Sequence, residues 1–80
     1  MKQVIDRRVL HKTEVLSGIV REVHQRDGYT YVQVFVPALG TTLPFVRAEL
    51  PVNTPLSDAR QLYPVGKQVT VFKRAGQWYV

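Results

Sequence analysis

The amino-acid sequence predicts an all-β protein, a small five-stranded Greek-key barrel with a short helix or irregular insert between the third and fourth strands. Branched and aromatic residues, which favour strands, recur in short segments. Turns containing glycine or proline separate these segments. One segment, residues 29–36, alternates between aliphatic side chains and aromatic or polar ones. Because no linker or repeat interrupts the chain, we expect a single domain over residues 1–80, with the barrel in residues 14–80.

Residues 1–13 form a basic segment whose structure the sequence leaves open. Its apolar positions suit either a short strand pair or a frayed helix. Four cations against one carboxylate give the segment a net charge of +3, from Lys2, Arg7, Arg8, Lys12 and Asp6. We interpret it as a basic N-terminal arm or an edge strand, which would add phosphate contacts without sequence specificity.

The first two strands are predicted to form a hairpin. Residues 15–23 are rich in branched side chains, and Gly18 lies where a coiled strand bends or bulges. Asp27 and Gly28 suit the two positive-φ positions of a type I′ turn. This turn pairs Arg26 with Tyr29, His24 with Tyr31, Val23 with Val32, Glu22 with Gln33 and Val20 with Phe35.

The hairpin has two different faces, because opposed residues of paired strands share a face. We predict that the aliphatic face is core, with Ile19, Val23, Val32, Val34 and Val36. The other face is interpreted as a surface on which bases stack, with His24, Arg26, Tyr29, Tyr31, Gln33 and Phe35. A sheet buried on both faces, or a rim of aromatics over a barrel mouth, is the alternative. Arg21 falls on the aliphatic face, so it must extend at a barrel end, or Gly18 must mark a bulge.

The third strand is predicted over residues 41–50, with Pro44 at an edge or a bulge. It places Leu43, Phe45, Arg47 and Glu49 on one face. A short helix follows within residues 51–63, because Leu56, Ala59 and Leu62 recur at helical spacing. Thr54 or Ser57 is expected to cap this helix, with Pro55 at its first position.

The last two strands are predicted over residues 67–74 and 77–80. Val69 and Val71 point inward, while Thr70, Phe72 and Arg74 point outward. Trp78 is predicted to be core, which leaves Tyr79 outward. Phe72 and Tyr79 would then form an apolar patch suited to a second copy of the chain, so we predict a homodimer. The alternative is that these rings close the lower end of the barrel.

Composition favours a polyanionic partner and argues against catalysis. Eleven Lys and Arg against six Asp and Glu give a net charge of +5 and an isoelectric point near 10.0. The absence of cysteine excludes thiolate metal sites, and the spacing of His11 and His24 does not suit zinc. No nucleophile elbow or phosphate-binding glycine loop is found. We therefore predict neither enzymatic activity nor a cofactor or metal, and, without a signal or membrane segment, a soluble cytoplasmic protein.

Three short segments carry a resemblance to a known family, and the similarity as a whole covers roughly residues 15–72. They are Gly28-Tyr29-Thr30-Tyr31, Leu43-Pro44-Phe45-Val46-Arg47 and Tyr63-Pro64-Val65-Gly66. With the order of the elements, they resemble OB-fold proteins that bind single-stranded nucleic acid, in particular the gene V type single-stranded-DNA-binding proteins of filamentous phages. The resemblance implies a dimer that coats single-stranded DNA cooperatively during phage DNA replication. It also implies stacking by Tyr29, Tyr31 and Phe45, and phosphate contacts by Arg21, Arg26 and Arg47.

We therefore predict non-enzymatic binding of single-stranded nucleic acid, and the resemblance favours DNA over RNA. The alternative is a small β-barrel module for protein interaction or assembly. The two functions differ in the position of the arginines, which should lie beside the rings for nucleic acid and away from an apolar groove for protein. The predicted nucleic-acid-binding residues are Arg21, His24, Arg26, Tyr29, Tyr31, Gln33, Phe35, Phe45, Arg47, Lys73 and Arg74.

Overall fold

A computed structural model describes residues 14–80, which form a closed five-stranded barrel and one short helix. Neighbouring strands follow the order β1-β2-β3-β5-β4, and β4 pairs again with β1. Only the β3–β5 pairing is parallel within this described barrel. The predicted all-β barrel with a helix between its third and fourth strands is confirmed. The elements are β1 (Glu14–Arg26), β2 (Tyr29–Val36), β3 (Thr41–Arg47), α1 (Leu56–Leu62), β4 (Gln68–Arg74) and β5 (Gln77–Tyr79). The predicted N-terminal arm lies outside the described residues.

The hairpin of β1 and β2 has the predicted turn, with φ of 53° at Asp27 and 81° at Gly28. The predicted pairs from Arg26–Tyr29 to Glu22–Gln33 are confirmed. Upstream of them the prediction is wrong, because β1 has a bulge between Val20 and Glu22. The extra residue is Arg21, so the bulge lies three positions beyond Gly18. It explains why a long cation occupies a place that strict alternation assigns to the core.

The bulge exchanges the faces of two β1 residues relative to the prediction. Val20 pairs with Val34 and is fully buried, whereas Ile19 pairs with Phe35 on the outer face. The core is built mainly from valines, as the branched composition of the strands predicts. The fully buried valines are Val20, Val32, Val34, Val36, Val46 and Val71. Trp78, which is predicted to be core, is partly buried and packs against this cluster.

Gly18 serves close packing between β1 and β2. A Cβ atom at this position would overlap the Cγ1 atom of Val34 and lie 3.0 Å from the carbonyl oxygen of Phe35. Both obstacles belong to the facing strand, and Val34 is fully buried. A side chain at residue 18 therefore has no space unless the barrel wall moves.

β3 also has a bulge, at the position that Pro44 predicts. Val32 pairs with Val46 and Val34 pairs with Leu43, so two residues of β3 oppose Gln33. The bulge turns Leu43 onto the core, while the side chain of Phe45 is 48% exposed. The predicted common face of Leu43 and Phe45 is therefore wrong. The strand also ends at Arg47 and not at residue 50.

Helix α1 packs against the barrel through Ala59, which is fully buried. Pro55 occupies the N-cap position, and no side chain caps the helix. The hydroxyl of Thr54 instead donates a hydrogen bond of 2.6 Å to the carbonyl oxygen of Pro51. The predicted caps and the predicted place of Pro55 inside the helix are therefore wrong. Within residues 14–80, no helix has the length and apolar character needed to cross a membrane.

Candidate nucleic-acid interface

Three rings meet on the outer face of β1, β2 and β3. His24 is the direct neighbour of Tyr31 across the hairpin, and their rings stack with centroids 5.8 Å apart. The bulge of β3 brings Phe45 edge-on to both, at 5.4 Å from His24 and 5.9 Å from Tyr31. These are ordinary distances for interacting aromatic pairs. We call His24, Tyr31 and Phe45 the ring cluster.

Two side chains, from β1 and β5, form hydrogen bonds with the backbone of β3 next to the ring cluster. Nε2 of His24 donates a hydrogen bond of 3.1 Å to the carbonyl oxygen of Pro44. The side-chain amide of Gln77 donates one of 3.0 Å to the carbonyl oxygen of Phe45. Because both acceptors lie in the bulge of β3, these bonds fix the segment that presents Phe45.

A shallow groove of about 340 Å³ opens beside the ring cluster. Tyr31 and Phe45 form one wall, and Arg26 and Asp27 of the β1–β2 turn contribute a cation and a carboxylate. Gln77 completes the lining. Nothing local in β5 indicates that Gln77 reaches β3, so the sequence does not predict it as a site residue. The groove therefore combines flat rings, one guanidinium and an amide at an open surface.

Arg47 continues the face beyond the ring cluster. Its guanidinium carbon lies 4.1 Å from the centre of the Tyr29 ring, and the Tyr29 side chain is 38% exposed. In the sheet, Arg47 lies between Tyr31 of β2 and Tyr79 of β5. A guanidinium at this distance over a ring keeps its charge available to phosphate, and arginine side chains can also stack on bases.

A second aromatic group lies on β4 and β5. The rings of Phe72 and Tyr79 stack with centroids 5.7 Å apart and planes 21° from parallel. The Arg74 guanidinium carbon lies 4.7 Å from the centre of Tyr79 and 5.5 Å from that of Phe72. Arg74 also forms an exposed ion pair of 3.3 Å with Glu49. We call Phe72 and Tyr79 the ring pair. Its outward direction is as predicted.

The ring cluster and the ring pair belong to one line of side chains that crosses the strands. His24 pairs with Tyr31, Tyr31 with Arg47, Arg47 with Tyr79, and Tyr79 with Phe72. Successive members lie on adjacent strands, about 5 Å apart. We call this line the transverse row. Four of its five members are rings and the central one is a cation.

Two predicted site residues lie away from this face. Arg21 lines a different groove, next to Tyr63 and Pro64. Lys73 pairs with Trp78, and its ammonium nitrogen lies 5.8 Å from the centre of that ring. Since Trp78 packs on the core, Lys73 belongs to the inward side of β4. The alternation within β4 places Lys73 opposite in direction to Phe72 and Arg74.

The remaining predicted residues share the face but not the ring contacts. Gln33 lies two positions beyond Tyr31, opposite the bulge of β3. Phe35 lies four positions beyond Tyr31, or about 13 Å along the strand, where it pairs with Ile19 and Thr42. The structure therefore brings together His24, Arg26, Tyr29, Tyr31, Phe45, Arg47 and Arg74, and separates Arg21, Gln33, Phe35 and Lys73 from them.

Comparison with known proteins gives no match, whether by family model, among curated proteins or among solved structures.

Proposed function

We propose that this chain binds single-stranded nucleic acid without catalysis, through the transverse row and the arginines beside it. The observation that carries the proposal is the position of the cations. Arg47 lies 4.1 Å from the ring centre of Tyr29, and Arg74 lies 4.7 Å from that of Tyr79. Rings stack on bases of any sequence, and guanidinium groups neutralise the phosphates between them.

The strand order supports the same proposal. OB-type barrels are five-stranded Greek-key barrels that bind oligonucleotides on the face of strands 2 and 3 and with the turns after strands 1 and 4. In this chain Tyr29, Tyr31, Phe45 and Arg47 lie on β2 and β3, and Gln77 follows the turn after β4. The resemblance to gene V type proteins favours DNA as the ligand over RNA.

The alternative function, a protein-interaction module, is less well supported on this face. An apolar docking groove should have its arginines at a distance from the rings. Here the guanidinium groups of Arg47 and Arg74 lie on the rings themselves. An apolar peptide that used this surface would have to displace these groups or leave the charge of Arg47 unmatched.

Titration of fluorescently labelled oligonucleotides tests the proposal. Oligo-dT, oligo-rU and a duplex of equal length are compared at low and moderate salt. We expect tighter binding to the single strands than to the duplex, with affinity falling as salt rises. If the duplex bound as tightly as the single strands, charge alone would explain the binding, and stacking on the rings would not be supported. Undetectable binding to all three at low salt would reject the proposed function.

Replacing Arg47 with Gln is expected to reduce the salt dependence of oligo-dT binding. Loss of one phosphate contact should lower the slope of log K against log salt by about 0.7 for a single strand. The control is Arg60→Gln, which removes the same charge from an exposed position of α1. Equal slopes in the two variants would show that net charge, and not the position of Arg47, determines the salt dependence.

The homodimer predicted from Phe72 and Tyr79 stays a prediction. The two rings stack on each other beneath Arg74 and are half-buried. We propose that a two-fold dimer would place two transverse rows side by side. Sedimentation at micromolar concentration tests it, because a mass that stays near 9.2 kDa on raising the concentration would contradict a dimer.

A further inference from the structure

A second groove, of about 530 Å³, lies between β1 and helix α1. We call it the α1 groove. One wall is the bulge of β1, with Arg21 and Glu22. The other is Arg60 of α1 with the turn that follows the helix, which contributes Tyr63, Pro64 and Val65. It shares no lining residue with the groove beside the ring cluster.

Backbone hydrogen bonds fix the two walls relative to each other. The amide of Gly66 donates to the carbonyl oxygen of Val20 at 2.8 Å, and the amide of Val20 donates to the carbonyl oxygen of Lys67 at 2.9 Å. Val20 directly precedes the bulged Arg21. The turn is therefore joined to the strand at the point where the bulge begins, so the groove is formed before any ligand binds.

The α1 groove combines two cations with exposed aliphatic groups. Arg21 and Arg60 are both exposed, and within residues 14–80 the ion pairs include neither of them. The Val65 side chain is 75% exposed, the most exposed large apolar side chain in the described part of the chain. Glu22 is the single carboxylate in the lining, so the lining carries two positive charges against one negative charge.

The one ring in the α1 groove is poorly placed for stacking on a base. Tyr63 is half-buried and packs against the core. The ammonium nitrogen of Lys67 lies 5.9 Å from its ring centre and donates a hydrogen bond of 3.0 Å to the carbonyl oxygen of Leu62. Burial, with a contribution from the Glu49 carboxylate, raises the pKa of the Tyr63 phenol. The phenol is therefore neutral at physiological pH and does not oppose the positive charge of the groove.

We propose that the α1 groove binds an acidic segment of a partner protein, in which carboxylates alternate with aliphatic side chains. The carboxylates would pair with Arg21 and Arg60, and the aliphatic side chains would pack on Pro64 and Val65. Nucleic acid fits this groove less well, because it would need an exposed ring where the groove offers aliphatic groups. This second site does not depend on nucleic-acid binding by the transverse row.

The proposal is tested with a fluorescein-labelled peptide in which pairs of aspartates alternate with pairs of leucines. Two double variants with the same change in net charge are compared on the full chain. We expect Arg21→Gln with Arg60→Gln to weaken peptide binding by about tenfold and to leave oligo-dT binding close to that of the parent. We expect Arg47→Gln with Arg74→Gln to weaken oligo-dT binding and to leave peptide binding close to that of the parent.

Two control peptides separate the contributions of charge and apolar contact. Replacing the aspartates with serines, or the leucines with serines, should abolish most of the binding in either case. Val65→Ser should weaken binding of the parent peptide and leave the chain folded, because this side chain is exposed. Binding that survives loss of the leucines, or that oligo-dT displaces, would overturn the proposal, as would equal effects of the two double variants. Loss of the oligo-dT response alone would reject the proposed function and leave the α1 groove proposal standing.

Discussion

Replacing Tyr31 with Ala is expected to weaken binding of oligo-dT by about 1–3 kcal/mol, which is the contribution of one stacking ring. Tyr31 contacts both other members of the ring cluster, at 5.8 Å from His24 and 5.9 Å from Phe45. Its removal therefore also frees the neighbouring rings to reorient. The stability of the fold should change little, because the side chain lies on the outer face. Fluorescence anisotropy gives the affinity, and urea denaturation gives the stability.

Three further variants make the Tyr31 result interpretable. Tyr31→Phe keeps the ring and should bind nearly as well as the parent, whereas Tyr31→Leu keeps apolar area without a flat ring and should not. Full recovery by Leu would contradict stacking and favour an apolar docking surface. Val34→Ala, which empties part of the core, should do the reverse of Tyr31→Ala: it should lower the free energy of unfolding by about 2 kcal/mol and leave the binding of folded protein unchanged.

Replacing Gly18 with Val is expected to have the largest effect on stability. The added side chain would overlap Val34 and approach the backbone oxygen of Phe35, which lies 3.0 Å from the Cβ position. Overpacking of this kind costs about 1–3 kcal/mol or more when backbone must move. A chain of this size has only about 4–12 kcal/mol of stability. The midpoint of urea unfolding should therefore fall sharply.

The matched control for Gly18→Val is Ser17→Val on the same strand. Ser17 is exposed, and valine is a good strand former, so this variant should be neutral or slightly stabilising. Gly18→Ala should give an intermediate loss. A Gly18→Val variant as stable as the parent would show that β1 and β2 can separate at this point, which would contradict the tight packing described above.

Local patterns predict the hairpin well and fail where the barrel closes. The Asp27-Gly28 turn sets the register of the strand pairs next to it. Because this register pairs His24 with Tyr31, their contact is predictable from the turn sequence. The bulge at Arg21 has no local signal of that kind. It arises because β1 must pair with β2 at one end and with β4 at the other, and strict alternation cannot meet both demands. The sequence indicates it only indirectly, through a cation on an aliphatic face and a glycine three positions upstream.

In the candidate site, too, local patterns predict some contacts, while others depend on how distant strands pair. Tyr29 and Tyr31 were predictable, since a single strand presents them. The approach of Tyr79 to Arg47 depends on a parallel pairing between β3 and β5, which no sequence pattern specifies. Only its charge favours Lys73 as a phosphate contact, because it alternates with Phe72 and must point to the other side. Charge indicates which residues could contact phosphate, but the strand direction decides which of them can reach it.

The number of residues in β1 determines whether both ends of the transverse row face outward. The row begins at His24, and Phe72 at its far end pairs with Val15 of the same strand, so the line travels round the barrel and returns nine positions earlier along the chain. Nine is an odd interval, and only the extra residue at Arg21 lets both ends face outward. Loss or gain of one residue in this stretch would turn one end of the row inward. Insertions and deletions that keep the transverse row outward are therefore confined to the turns. The spacing between the ring cluster and the ring pair is set by the length of one strand, β1.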